Sequence, residues 1–374
     1  MKRFVIIPDS FKGTLSSIQV CDILEKEIHE KFDQAEIKKI PVADGGEGSV
    51  DAFLQAGDGK KVYAEVSGPY FDKMTSFYGL IDDGKTAVIE MAACAGLPLV
   101  DNRQDPSKTT TYGFGELILH AIDQGVEKII LGLGGSATND GGAGFAAALG
   151  VEFYDAQNKK FTPVGGTLSK IKKIDISKMD QRLKNIDFIT MCDIDNPLFG
   201  LEGAAYIFSP QKGADQAMVE FLDQNLKDYA KVVEENLRFD NPYFKGAGAA
   251  GGLGYGTKVF LNSKIQMGIE TVLDVMHFDE LAKDVDYIIT GEGSLDSQSL
   301  RGKVVIGVAR RAKKLKTKVI AVVGQVSGDQ SLYLTEGIDS IVVTNYLKLP
   351  FEEVKKRAES DMIHTFKAFL NHLE

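Results

Sequence analysis

Phe4–Ile7 is an unbroken apolar run closed by Pro8-Asp9, and behind it Leu15, Ile18, Cys21, Leu24, Ile28 and Phe32 recur at steps of three or four residues. A short run that is apolar at every position fits a strand buried on both faces, and the three-to-four repeat fits the inward stripe of a helix. Glu36–Ile40 reads as a second strand, Pro41–Gly46 as its loop and Glu47–Gln55 as a second helix. The same alternation returns far along the chain. Tyr287–Thr290 reads as a strand, Val304–Leu315 as a helix with basic residues in its last turns, and Lys318–Val323 and Ser340–Thr344 as strands. The texture between is mixed: Lys61–Val66, Thr86–Glu90, Lys128–Leu131, Asp187–Met191 and Ala204–Phe208 read as strands, and Thr110–Asp123 and Ala214–Glu235 as helices.

Two strands alone hardly cover both faces of a parallel sheet, whereas two from the start and three from the end make a five-stranded doubly wound sheet of normal size. The expected fold class is therefore α/β, with residues 1–60 and 281–374 forming a discontinuous Rossmann-like or flavodoxin-like parallel-sheet domain. Residues 61–280 are expected as an inserted mixed α/β domain, with an active-site cleft between the two.

Composition narrows the partners. The 374 residues carry 43 basic and 53 acidic side chains, a formal charge of −10, and 44% are hydrophobic. Apolar content of that order supports a proper core and argues against disorder. The acidic balance, with no long Lys/Arg block, disfavours nucleic acid and anionic membrane surfaces and favours small-molecule partners. Cys21, Cys94 and Cys192 are odd in number and far apart, so neither a disulfide framework nor a thiolate zinc site is expected, and a reducing cytoplasm fits best. The apolar start is too short for a signal peptide and no stretch approaches a membrane span.

In an open parallel sheet, ligands gather outside the carboxyl ends of the strands. Those ends here carry Asp9, Ser10 and Lys12; Asp44 and Glu47; Glu292, Ser294 and Asp296; Gly324-Gln325; and Thr344-Asn345. Any single case is equally well read as a helix cap or loop residue, but five along one sheet edge favour a site.

Glycine is the compositional anomaly. Seventeen of the 39 fall in four clusters: Gly45, Gly46 and Gly48; six in Gly132–Gly144; six in Gly246–Gly256; and Gly291 with Gly293. Lys128–Leu131 followed by Gly134, Gly135, Ser136, Ala137, Thr138, Asn139 and Asp140 has the composition of a phosphate cradle, small residues letting backbone amides reach an anion and hydroxyls adding donors. The alternative is a tight packing turn with Asp140 as a helix cap. Gly251–Lys258 superficially resembles a Walker A loop, but its Thr-Lys pair is reversed and no strand precedes it, so that reading is rejected. The stretch is either a loop closely approached beside a ligand or a flexible surface connection. Asp193, Asp195 and Asn196 follow a strand and offer the oxygens magnesium takes, or else an Asx turn into Pro197. The five histidines show no ligand spacing, and no GxSxG supports a Ser-His hydrolase.

Taken together, Pro8-Asp9-Ser10-Phe11-Lys12-Gly13-Thr14, Ala43-Asp44-Gly45-Gly46-Glu47-Gly48, Gly134 through Gly142, Asp193 through Pro197, Gln211-Lys212-Gly213-Ala214 and Gly291-Glu292-Gly293-Ser294-Leu295-Asp296 resemble, in order, the blocks of the bacterial glycerate kinase family. The resemblance spans nearly the whole chain. Lys245 stands where proline is expected before the GAGAAGG stretch, and Ser299 where threonine is expected before Arg301-Gly302-Lys303.

That resemblance implies ATP-dependent phosphorylation of D-glycerate at the 2-hydroxyl, with release of ADP, in glycerate- or glyoxylate-linked carbon metabolism, and Mg²⁺ as cofactor. On this reading the Gly134–Asp140 loop, with Asp9, Ser10, Gly45, Gly46 and Glu47, binds the substrates. Asp193 and Asp296 hold Mg²⁺, and Asp44 or Glu292 accepts the hydroxyl proton. Lys12 pairs with the glycerate carboxylate or the transferred phosphate, with Arg301 and Lys303 as competitors for that task. A sensor that retains the fold without catalysis is the second reading. A nicotinamide-dependent dehydrogenase lacks support, because the turn after the first strand has no GxGxxG.

Overall fold

The computed structural model describes residues 1–42, 48–57 and 59–373. The chain divides into two compact units: Met1–Ala43, Gln55–Gly57 and Met267–Glu374 form one, Asp44–Leu54 and Asp58–Gln266 the other.

The first unit is built on five strands in the order Ser340–Val343, Lys318–Val326, Tyr287–Leu295, Arg3–Pro8, Glu36–Lys39, with every neighbouring pair parallel. In the unit's own chain order this is 2-1-3-4-5, the flavodoxin-like arrangement, whose switch point lies between the first and third strands. The apolar runs have the burial this demands. Phe4, Ile6, Ile289, Ile320 and Val322 pack with Val20, Cys21, Leu24, Ile28, Met362 and Phe366 of the helices Ser17–Lys31 and Phe351–Leu370, and the alternate residues Val5, Ile7 and Ile288 are as fully buried. Ser16 starts the first helix through a capping box: its hydroxyl accepts from Gln19 N at 3.2 Å, and Gln19 Oε1 accepts from Ser16 N at 2.9 Å.

Two strands run further than the apolar pattern suggests. Gly291–Ser294 and Gly324–Gln325, expected as loops, continue the ladder, with Ser294 opposite Gln325. Glycine makes this possible, since a Cβ at Gly291 would strike the Val322 carbonyl and one at Gly324 the Gly293 carbonyl.

The second unit holds a six-stranded sheet in the order Lys264–Gln266, Asp187–Met191, Lys128–Gly132, Thr86–Glu90, Lys73–Ile81, Lys60–Ser67. The first four strands are mutually parallel, and the last two are antiparallel additions. A small antiparallel sheet of Lys160–Phe161, Glu152–Tyr154 and Lys173–Asp175 lies in the same unit. Ala204–Phe208, expected as a strand, is a helix. Five apolar residues carry no period long enough to separate the two states, and here Ala204 and Ala205 bury themselves against a core while Ile207 N bonds back to Gly203 O at 3.1 Å. Among the described residues no helix is long and apolar enough to cross a membrane.

Candidate active site

In the second unit, the strand Lys128–Gly132 delivers the chain into the glycine loop. Gly134 and Gly135 lie at the surface, and the segment from Ser136 to Asp140 is buried. Two neighbours hold it. Ala137 N donates to Ala95 O at 2.9 Å, and Ala137 O accepts from the Thr109 hydroxyl at 2.8 Å. Among the described residues the backbone N–H groups of Gly134, Gly135 and Ser136 have no backbone acceptor. A row of unspent donors at the carboxyl end of a parallel strand is what an anion requires.

Asp140 is spent inward. Its Oδ2 accepts from Thr111 N and Thr111 Oγ1, both at 2.8 Å, and from Gly144 N at 3.3 Å, while Oδ1 accepts from Gly142 N at 3.1 Å. Burial pushes this carboxyl upward from its ordinary value, and the four donors pull against that. Asn139 is fully buried, and among the described residues neither amide atom has a hydrogen-bond partner. Beneath the loop, Lys212 sends its ammonium to Ser136 Oγ and to Thr138 O, both at 2.7 Å, with 2% of its surface exposed. Sequence reasoning assigned Lys212 no role. It stands in the Gln211-Lys212-Gly213-Ala214 block, but burial of a lysine leaves no periodic mark.

The GAGAAGG stretch is not a surface connection. Gly251 and Gly252 adopt φ of +66° and +91° and are buried, Gly251 O accepts from Gly141 N at 3.0 Å, and Ala250 O accepts from the Thr138 hydroxyl at 3.4 Å. What approaches this stretch so closely is the glycine loop itself. Asp193 and Asp195 follow their strand as exposed residues, and Asp195 pairs with Lys245 at 3.1 Å.

The first unit collects a second group at its switch point. Asp9 N donates to Gly291 O at 2.8 Å, and Asp9 Oδ1 accepts from Ser10 N at 2.6 Å. Beside them Glu292 is 5% exposed, and its Oε1 has no hydrogen-bond partner among the described residues. Burial, first, pushes this carboxyl up to about 7; the Ser299 hydroxyl pulls it down, the charge of Asp9 pushes it up, Lys303 pulls it down and Asp296 pushes it up. Asp296 closes an Asx turn, Oδ1 accepting from Gln298 N at 2.8 Å and Ser299 N at 3.3 Å. Lys303 is exposed and donates to Gln298 Oε1 at 3.2 Å; Arg301 and Lys12 are exposed. Asp44, Gly45, Gly46 and Glu47 lie outside the described residues. The structure thus gathers Asp9, Ser10, Glu292, Asp296 and Lys303 in one unit and Gly134–Asp140 with Lys212 in the other, while Asp193 belongs to the second unit and Asp296 to the first.

Among the described residues no three His, Cys, Asp or Glu side chains form a ready metal cage. Magnesium does not need one. It keeps waters and commonly takes one or two carboxylates together with substrate phosphates, so the exposed carboxylate of Asp193 and that of Asp296 are donors of the right hardness.

Residues 4–374 match the glycerate kinase family. The chain belongs to that family. It is 46% identical over 366 residues to the glycerate kinase of Bacillus cereus, covering 98% of this chain and 96% of the relative. With the glycerate 2-kinase of Escherichia coli K12 the identity is 46% over 340 residues, 91% of this chain and 89% of the relative. A crystal structure of a Salmonella typhimurium LT2 protein, 42% identical, superposes with a TM-score of 0.87 over 100% of this chain and 98% of that one. As a member of the glycerate kinase family the protein is an enzyme, a phosphotransferase with an alcohol group as acceptor.

Proposed function

We propose that the protein transfers the γ-phosphoryl group of ATP to the 2-hydroxyl of D-glycerate, giving 2-phosphoglycerate and ADP, in a cytoplasmic setting. The full-length match to relatives called glycerate kinase and glycerate 2-kinase carries this reading. In the transfer the glycerate oxygen forms a bond to the γ-phosphorus, the bond from that phosphorus to the β,γ-bridging oxygen breaks, and the hydroxyl proton passes to a carboxylate of the enzyme.

The residues divide by chemistry. Gly134, Gly135 and Ser136 offer N–H groups to the nucleotide's phosphates, with Ala137, Thr138, Asn139 and Asp140 fixing the loop's shape. Glu292 is the proton acceptor in this reading, with Asp44 as the alternative: a carboxyl raised to about 7 is half-ionised near neutral pH and strong enough a base to take the proton in the transition state. Asp193 and Asp296 hold Mg²⁺, which when bound neutralises charge on the transferring phosphoryl group. Lys12, Arg301 and Lys303 compensate the anionic substrate, and Asp9 and Ser10, with Gly45, Gly46 and Glu47, bind substrate. Incubation with Mg–ATP and D-glycerate, followed by ³¹P NMR, tests the reading. Phosphate on carbon 2 is expected; phosphate on carbon 3 overturns the regiochemistry, and D-glycerate bound without ADP formation overturns the kinase in favour of a sensor.

A further inference from the structure

Lys212 is the last residue of a short 3-10 turn, Pro210–Lys212, that ends in Gly213 at φ +96°. Lysines are almost never fully buried unless paired, and among the described residues no carboxylate oxygen lies within 4.0 Å of this one. The charged groups around it are committed elsewhere. Asp140 gives its oxygens to Thr111, Gly142 and Gly144. On the neighbouring segment Asp105 is tied to Lys108 at 2.8 Å and to the Ser107 hydroxyl at 2.5 Å, and Asp215 caps the following helix through Met218 N at 2.8 Å. Residues 248–252 carry no charge.

The hydroxyl of Ser136 is oriented by this lysine. A serine oxygen that accepts from an ammonium still has its own O–H to donate, and among the described residues that proton has no acceptor. Two observations among the described residues, a buried cation with no carboxylate within ion-pair distance and a hydroxyl held as a donor without a recipient, therefore meet at the base of the same loop. We propose that Lys212 is a positioning residue for nucleotide binding: its ammonium fixes Ser136 Oγ as a donor to a phosphate oxygen and receives its counter-charge from that phosphate rather than from the protein. The inference rests on the reading that the Gly134–Asp140 loop holds the phosphates.

A consequence separates this from a merely structural lysine. Burial, with the charge of Asp140 opposing it, lowers the ammonium to about 7 in the nucleotide-free protein, and an anion placed beside it favours the protonated form. Nucleotide binding at pH 8 then takes up a proton, and affinity falls roughly tenfold per pH unit above neutrality until the bound-state value is reached.

The test is calorimetric titration of magnesium–ADP, whose phosphates are already ionised at pH 8, in two buffers of different ionisation enthalpy. Wild type should take up more than half a proton per nucleotide. Lys212→Arg, always charged, should bind without uptake and with affinity flat from pH 7 to 9, and Lys212→Met should bind at least tenfold more weakly at pH 7 without uptake. Ser136→Ala should also weaken binding. Wild type binding without proton uptake while Ser136→Ala weakens it overturns the role of Lys212 and leaves the loop in place. Unchanged affinity in Ser136→Ala shows that the hydroxyl gives no bond to the phosphate and overturns the inference, while the loop's N–H groups, which that variant keeps, stay with the proposed function. Should Lys212→Met fail to fold by circular dichroism, the wild-type proton count and Lys212→Arg decide.

Discussion

Asp140 and Thr111 are joined twice, the Oδ2 of one accepting from both the N–H and the hydroxyl of the other at 2.8 Å. The same hydroxyl oxygen accepts from Phe145 N at 2.9 Å, so one threonine and one carboxylate tie the loop to two helix starts. Removing the acceptor leaves buried donors unpaired, at ~1–3 kcal/mol each and less than additively. Asp140→Ala is expected to lose about 3–5 kcal/mol in urea unfolding, and Thr111→Val, which removes the hydroxyl alone, about 1–2 kcal/mol. Equal and small losses in both would show that the carboxylate does not anchor the loop.

Gly251 tests the packing of the two glycine segments. Its φ is +66°, and an added Cβ would meet the Thr138 carbonyl and the Asn139 Cα. Gly251→Ala therefore combines left-handed strain with a collision against backbone and should cost about 3 kcal/mol or more. Gly200 is the control: its φ is +95°, but nothing lies within 4 Å of an added Cβ. Gly200→Ala should cost only about 1 kcal/mol, and comparable urea midpoints for the two variants would mean that close approach is not what Gly251 provides.

The sheet of the first unit was readable because Phe4–Ile7, Tyr287–Ile289 and Val319–Val323 are apolar at every position, the mark of strands covered on both faces. The strand ends were less so: Gly291 and Gly324 look like loop residues in sequence, and only the closeness of the neighbouring backbone shows why a ladder needs them. Ala204–Phe208 misled because five apolar residues fit either state. The antiparallel strand Lys73–Ile81 and the helix Phe351–Leu370 went unread altogether. For the candidate site, the sequence pointed to the polar residues at strand ends, but not to which way each faces. Asp140 turns inward onto four donors, Glu292 is buried with one oxygen unpaired among the described residues, and Lys212 lies under a loop 76 residues away in sequence. Burial and partners arise from contacts between distant segments, and no local pattern encodes them.

Glu292 should show itself in two measurements. If it accepts the hydroxyl proton, kcat/KM rises with pH through about 7 in wild type, and Glu292→Gln loses both that limb and ~10²–10⁴ of kcat. Stability moves the other way. From the ordinary value of 4.5 up to about 7 the unfolded chain releases a proton that the folded protein keeps, so wild type loses stability across that window and stays level above it. Glu292→Gln does not titrate and is expected to be more stable than wild type at pH 8, by on the order of 1–3 kcal/mol, and not at pH 4. Urea unfolding at the two pH values checks the sign; a variant destabilised at pH 8 would show that the carboxylate is compensated in the fold.

Asp193 offers the reverse combination. It is exposed at the end of its strand, so Asp193→Asn removes a charge without emptying any packed space, and the melting temperature should stay within about 2 °C of wild type. An amide is a much weaker magnesium donor than a carboxylate. The expected result is a fall in kcat of about 10²-fold or more, with a higher magnesium concentration for half-maximal rate and little change in KM for glycerate. Steady-state rates across a magnesium titration at saturating ATP and glycerate distinguish the cases. A variant with near-normal turnover and an unshifted magnesium midpoint would take Asp193 out of the metal site and leave Asp296 as the carboxylate to examine by the same replacement.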